Sequence, residues 1–183
     1  MEYTNIFSSR NEKSNKVDSN ITIVSTALNV AAYIMYLYET TYHERIDEMK
    51  LHKLLYFVQR EALASVRTIA FEDEFRAWKF GPVILCVREA YRENTFPDVS
   101  QISFNQTLTD IIDKVFKTYS SRSSWSLSDI THCEISWRNA RKGIPDGENG
   151  NNRMLLADIE KDADRLRCAR AEDVLRRFIS DST

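Results

Sequence analysis

The sequence predicts a mainly α protein: a single compact helical domain with a small β element after its central helix. Three observations carry this. Apolar residues recur at helical spacing in several separate stretches. Only four glycines and three prolines occur in 183 residues, too few for a turn-rich β fold. Between residues 71 and 78 the period changes, with Phe75 and Ala77 set against Arg76 and Trp78, as in a short strand or hairpin arm.

Residues 1–19 are polar and aperiodic and read as a flexible N-terminal tail. Residues 20–165 read as the helical domain, and 166–183 as a charged C-terminal helix packed on it or extending it. The first helix follows from Val24, Ala27, Leu28, Ala31, Met35 and Tyr38, with Ser19 or Asn20 as its cap. The central helix runs from Asp47 to Val66. Leu51, Leu54, Leu55, Val58, Ala62 and Val66 form one apolar stripe, and Met49, Tyr56 and Leu63 a second. Such a helix should be contacted from several directions. Asp47 suits the N-cap, and Glu48 suits the positive end of the helix dipole. Lys50, Lys53, Arg60 and Glu61 make the remaining polar strip.

Gly81-Pro82 punctuates the chain after the β element, and Pro82 is expected at the first position of the next helix, where no N–H is needed. Val83, Val87, Ala90 and Tyr91 share a face of that helix, which ends near Asn94. In the connection that follows, Ile102 and Phe104 are expected to tuck into the core. Leu108, Ile111, Ile112, Val115, Phe116 and Tyr119 mark another helix, and short ones are expected near Trp125–Thr131 and Trp137–Arg141. Residues 143 to 152 hold three of the four glycines and form the strongest loop signal. Ile159, Ala163 and Leu166, then Val174, Leu175 and Phe178, predict one or two amphipathic helices to the end.

Charge and composition exclude much. A formal net charge of −2 gives no field to attract nucleic acid or anionic lipid. The most apolar run, Ala27 to Tyr38, is shorter than the roughly 20 residues that span a bilayer. No apolar leader opens the chain, so a soluble, cytoplasmic protein is expected. Cys86, Cys133 and Cys168 are far apart and read as buried, reduced thiols. His132 beside Cys133 and Glu134 has no partner at metal-ligand spacing, and reads as a buried, hydrogen-bonded histidine near Trp137. Phosphate-cradling glycine motifs and a nucleophile elbow are absent, so neither catalytic residue, cofactor nor metal is expected. Trp78, Gly81 and Pro82 make either a structural corner or a recognition edge, the corner being favoured.

Ile46 through Tyr56 (IDEMKLHKLLY), Ala77 through Val83 (AWKFGPV) and Glu89 through Arg92 resemble the Panacea antitoxin domain, the SocA-like family of phage-associated and toxin–antitoxin proteins. Leu127 to Glu134, Trp137 and Ala140-Arg141 form a second agreeing block. The chain departs from the pattern at Asp47, Glu48, Arg60 and Ser136. The resemblance implies an antitoxin that neutralises a protein toxin from an adjacent gene by direct binding, without catalysis. An adaptor delivering the bound toxin to a protease is the alternative. A DNA-binding regulator is disfavoured by the charge, and an enzyme using His132 has no motif behind it. The signature residues Lys50, Leu51, Lys53, Leu54, Leu55, Tyr56, Trp78, Gly81, Pro82, Val83, Thr131, His132, Trp137 and Arg141 are read as scaffold. Toxin contact is expected instead at the loop 143–152, at Lys53 and Arg60 on an exposed side of the central helix, and at Arg165, Arg167 and Arg170.

Overall fold

The computed structural model describes residues 24–180. Within them the chain forms seven α-helices and one antiparallel hairpin, so the protein is mainly α with a small β element. Helix α1 (Ala27–Tyr42) is capped by Thr26, whose side chain accepts from the Asn29 amide. Val24 therefore precedes the helix, and the expected caps Ser19 and Asn20 lie outside the described residues, as does the expected tail.

Helix α2 (Glu48–Val66) is the centre of the molecule. The Asp47 carboxylate accepts from the Lys50 amide, as its sequence position predicts. Every residue from Lys50 to Ala64 is buried, so no exposed side of α2 exists there. The expected polar strip is covered because other elements supply partners. Lys50 Nζ donates to the Tyr38 hydroxyl and the Ser120 carbonyl. Gln59 satisfies the backbone of Ala70 and Phe71 from both ends of its amide. The Arg60 guanidinium pairs with Glu134 and donates to the Tyr119 hydroxyl. Each pairing removes a desolvation cost that would otherwise oppose burial.

Strands β1 (Phe75–Trp78) and β2 (Gly81–Ile84) pair with Trp78 opposite Gly81, leaving Lys79 and Phe80 as the turn. Phe75 and Ala77 are buried and Arg76 and Trp78 are half-exposed, the alternation expected. The strand is shorter than the extended stretch suggested, for Phe71 instead bridges to Ser25. Pro82 is not a helix start but lies within β2. Its cross-strand partner Ala77 sends its N–H to the Asn152 carbonyl and its own carbonyl to Arg141, away from β2. That pair uses no rung of the ladder, so proline removes none.

Helix α3 (Leu85–Glu93) is followed by a short 3₁₀ turn (Val99–Gln101), then α4 (Gln106–Tyr119), capped by Asn105. Phe104 packs edge-on against Tyr33 at the margin of the core. Helices α5 (Ser124–His132) and α6 (Ile135–Ala140) come next. Helix α6 has no cap of its own. Asp162, from a later helix, accepts from the Ile135 and Ser136 amides at 2.7 and 3.0 Å and does that work.

Helix α7 (Leu156–Ser180) is one unbroken helix of 25 residues crossing position 165. Ile159 and Ala163 enter the core, but Val174, Leu175 and Phe178 lie exposed, against expectation. Arg170 ties α7 to α2 through Glu61, and the helix continues beyond it. The cysteine expectation also fails: Cys86 is half-buried and Cys133 and Cys168 are exposed. Among the described residues, no helix is long and apolar enough to cross a membrane.

Candidate functional site

Both blocks of motif residues meet at the hairpin turn. Four backbone carbonyls there are captured by side chains from three helices and one loop-proximal arginine. Lys53 of α2 donates to the Pro82 carbonyl at 3.3 Å, and Ser128 of α5 to that of Phe80 at 2.7 Å. Trp137 of α6 donates its indole N–H to the Trp78 carbonyl at 3.0 Å, and Arg141 donates to that of Ala77 at 3.2 Å. A second Arg141 nitrogen reaches the Glu148 carbonyl, tying in the loop 143–152. His132 stacks on Trp137 with ring centroids 4.0 Å apart. It is half-buried rather than buried, and burial lowers its pKa. Thr131 donates back to the Ser128 carbonyl in its own helix.

Gly81 makes the turn possible twice over. Its φ of +109° is a conformation that side chains disfavour, and a Cβ there would lie 2.5 Å from Lys53 Cε and 2.7 Å from Thr131 Oγ1. The hairpin thus sits directly on the lysine.

Beside this contact lies a cavity of about 230 Å³, open to solvent, lined by α2, the hairpin, Arg88 of α3 and Asn149. Met49, Trp78, Phe80 and Val83 give it apolar walls. Lys53 and His52, each 1% exposed, are its deepest polar groups. Burial pulls the Lys53 ammonium down to about 7, against the opposing charge of Asp47. Burial also lowers the His52 pKa, so its ring is neutral near pH 7. His52 Nδ1 accepts from the Ile84 amide, which leaves the proton on Nε2, and Nε2 has no hydrogen-bond partner. Arg88 lies 4.7 Å from the centroid of the Trp78 ring and pairs with Glu48 at 2.6 Å. The Trp78 indole N–H donates to Asn151. At the edge, Phe80 and Trp125 are 43% and 62% exposed and meet edge-to-face at 5.4 Å.

The residues expected to touch a toxin are not gathered on one surface. Lys53 and Arg60 are buried, because the hairpin covers one and Glu134 and Tyr119 cover the other. Arg170 forms a two-point ion pair with buried Glu61, Arg167 pairs with Asp164, and Arg165 reaches the Cys133 carbonyl. Of the signature, Leu51, Leu54, Leu55 and Tyr56 are core, and Tyr56 also bonds Ser136 and Asp162. Lys53, Trp78, Gly81 and Val83 line the cavity. Sequence reasoning missed His52, Arg88, Phe80 and Trp125 as site residues. The last two carried a signal: large aromatics among polar or turn residues, where no helical stripe claims them.

A second buried polar cluster joins Arg60, Glu134, Asp162 and Tyr56 at the α2–α6–α7 junction. Burial pushes the Glu134 carboxyl up to about 7 with help from Asp162, against the pull of Arg60. Among the described residues, no group of three or more His, Cys, Asp or Glu is placed to hold a metal ion.

Residues 51–138 match the family model described as antitoxin SocA-like, Panacea domain. No curated protein and no solved structure matches the chain.

Proposed function

We propose, from the match of residues 51–138 to the SocA-like Panacea domain model, that this chain is a member of that family and an antitoxin that neutralises its cognate toxin by direct binding. Membership itself carries a toxin–antitoxin role in general. The finer reading is supported by one observation: the matched segment builds a rigid, partly apolar face around the exposed Phe80–Trp125 pair. Exposed aromatics beside a cavity are the anchors from which protein interfaces draw most of their affinity. The hairpin beneath them is held by the four captured carbonyls, so little ordering cost attends docking. The proposal contains no bond-making step. Inhibition is by surface complementarity, and the contact face is the hairpin.

The test is co-expression with the protein of the neighbouring reading frame. The chain should restore growth and co-purify with that protein. Phe80→Ala with Trp125→Ala should lose both effects while the melting temperature holds, because neither ring is buried. A neighbour without toxicity, or rescue without a complex, would overturn the reading. Rescue with toxin disappearing only in protease-competent cells would make the chain a proteolytic adaptor instead.

A further inference from the structure

We propose that the cavity beside the hairpin turn binds one carboxylate carried on an apolar body of about side-chain size. The inference stands on the cavity and not on the antitoxin reading.

Acceptors at the cavity are few: the Glu48 carboxylate, which Arg88 already engages, and the side-chain amide of Asn149. The carbonyl of Phe80, a lining residue, is already taken by Ser128, and that of Pro82 by Lys53. What it has left are donors. The His52 Nε2–H is buried, without a hydrogen-bond partner, and 3.8 Å from the nearest Glu48 oxygen, beyond hydrogen-bond reach. Lys53 Nζ has three N–H bonds and one acceptor, the Pro82 carbonyl. A buried donor left unsatisfied is costly, and a ligand that fills it recovers that cost. The charges agree. Lys53, Lys79 and Arg88 line the cavity against the single carboxylate of Glu48, which is itself engaged by Arg88. An anion therefore gains on entry where a cation would not.

Size and walls narrow the class. The volume is below the roughly 300–1,000 Å³ of drug-sized sites, so the occupant is small. Met49, Trp78, Phe80 and Val83 offer it apolar surface, which suits a carbon body over a naked phosphate. His52 and Lys53 both border the cavity, and a carboxylate has two oxygens with which to meet two donors. Such a group can come from a free small acid or from a glutamate, aspartate or chain end of a partner protein.

Binding should draw a proton onto Lys53. The charged and titratable groups around that amine are Asp47, Glu48 and His52 of α2, Lys79 of the turn, Arg88 of α3 and His132 of α5. Of these, Lys53 is the one held at about 7. An anion stabilises its charged form, so affinity falls as pH rises above 7.

The experiment uses the full chain, isotope-labelled, titrated with benzoate, benzamide and inorganic phosphate while the Trp78 indole and His52 ring resonances are followed. Benzoate should shift both signals saturably, and benzamide and phosphate should bind at least about tenfold more weakly. The benzoate dissociation constant should rise by up to about tenfold per pH unit above 7. Lys53→Met should abolish saturation. Arg88→Gln and Lys79→Gln, at more exposed positions, should each weaken benzoate by a few fold and serve if the Lys53 variant does not fold. A blocked peptide with one glutamate between two phenylalanines separates the sources. Tighter binding than benzoate assigns the carboxylate to a partner protein, and weaker binding assigns it to a free acid. Equal binding of benzoate and benzamide, saturation elsewhere than at Trp78 and His52, or no saturation at all overturns the proposal.

Discussion

Arg170 closes on Glu61 across 109 residues of sequence, with Nη1 at 2.9 Å from Oε1 and Nη2 at 2.6 Å from Oε2. The arginine is an intramolecular clamp between α7 and α2, and not a free surface charge. Lys114 and Ser65 share the same carboxylate. Burial alone would raise its pKa, but these hydrogen bonds and the Arg170 charge hold it at about 2.

Arg170→Met leaves that carboxylate buried without two of its hydrogen bonds, and is expected to cost about 1–3 kcal/mol. Replacing both partners, Glu61→Leu with Arg170→Met, should return most of the loss, because no charge is then stranded. Urea unfolding of the two variants decides. The advantage of the wild type over Glu61→Gln has a defined pH window. The folded pKa is depressed, so the contribution is whole above about 4.5 and is lost as pH falls toward 2. An advantage unchanged from pH 7 to 2.5 would sink the assignment.

Two glycines with positive φ separate backbone strain from collision. A Cβ added at Gly143, whose φ is +80°, would meet nothing within 4 Å, so Gly143→Ala should cost about 1–2 kcal/mol. Gly81→Ala meets the same strain plus Lys53 and Thr131, and should cost at least about 1 kcal/mol more. Equal thermal shifts for the two would mean that the lysine gives way freely.

Lys53 should write itself into the pH dependence of stability. Its folded pKa of about 7 lies below the ordinary lysine value of 10.5, so the unfolded chain binds more protons between those limits. Wild-type stability should therefore climb from pH 7 to 10.5 by more than that of Lys53→Met. Denaturant midpoints at pH 6, 8 and 10 give the comparison. A constant gap between the two proteins would show that the amine keeps its charge in the fold.

The core is tested at Leu54, which is fully buried in α2. Leu54→Ala should cost about 2–5 kcal/mol, from lost transfer energy and the cavity left behind. A loss under about 0.5 kcal/mol by urea unfolding would contradict the packing.

What the sequence made legible was local. The apolar stripes of α2, the Asp47 cap, the alternation at Phe75 to Trp78 and the loop after Gly143 each depend on neighbours within a few positions. Lys53, Arg60 and Glu61 looked solvent-facing because their covers, Pro82, Glu134 and Arg170, lie 29, 74 and 109 positions away. No period reports such pairings. Pro82 failed for the same reason. A helix-start rule applies to an isolated chain, whereas here the hairpin register and the outward bonds of Ala77 decide the geometry. His52 was hidden inside an apolar stripe, and only the fold places it beside a cavity.

The hairpin is gripped by its main chain. Arg141, Trp137, Ser128 and Lys53 hold the carbonyls of Ala77, Trp78, Phe80 and Pro82, and a carbonyl is the same acceptor whatever residue bears it. The grip therefore does not read the side chains at the tip. Lys79 and Phe80 can be exchanged without loosening the mount, provided that Gly81 stays. Substitution there changes the surface that the tip presents while its position is kept, much as a tool holder accepts different bits. A lineage pressed to match a changing partner would find that variation inexpensive at these two positions and ruinous one residue further on.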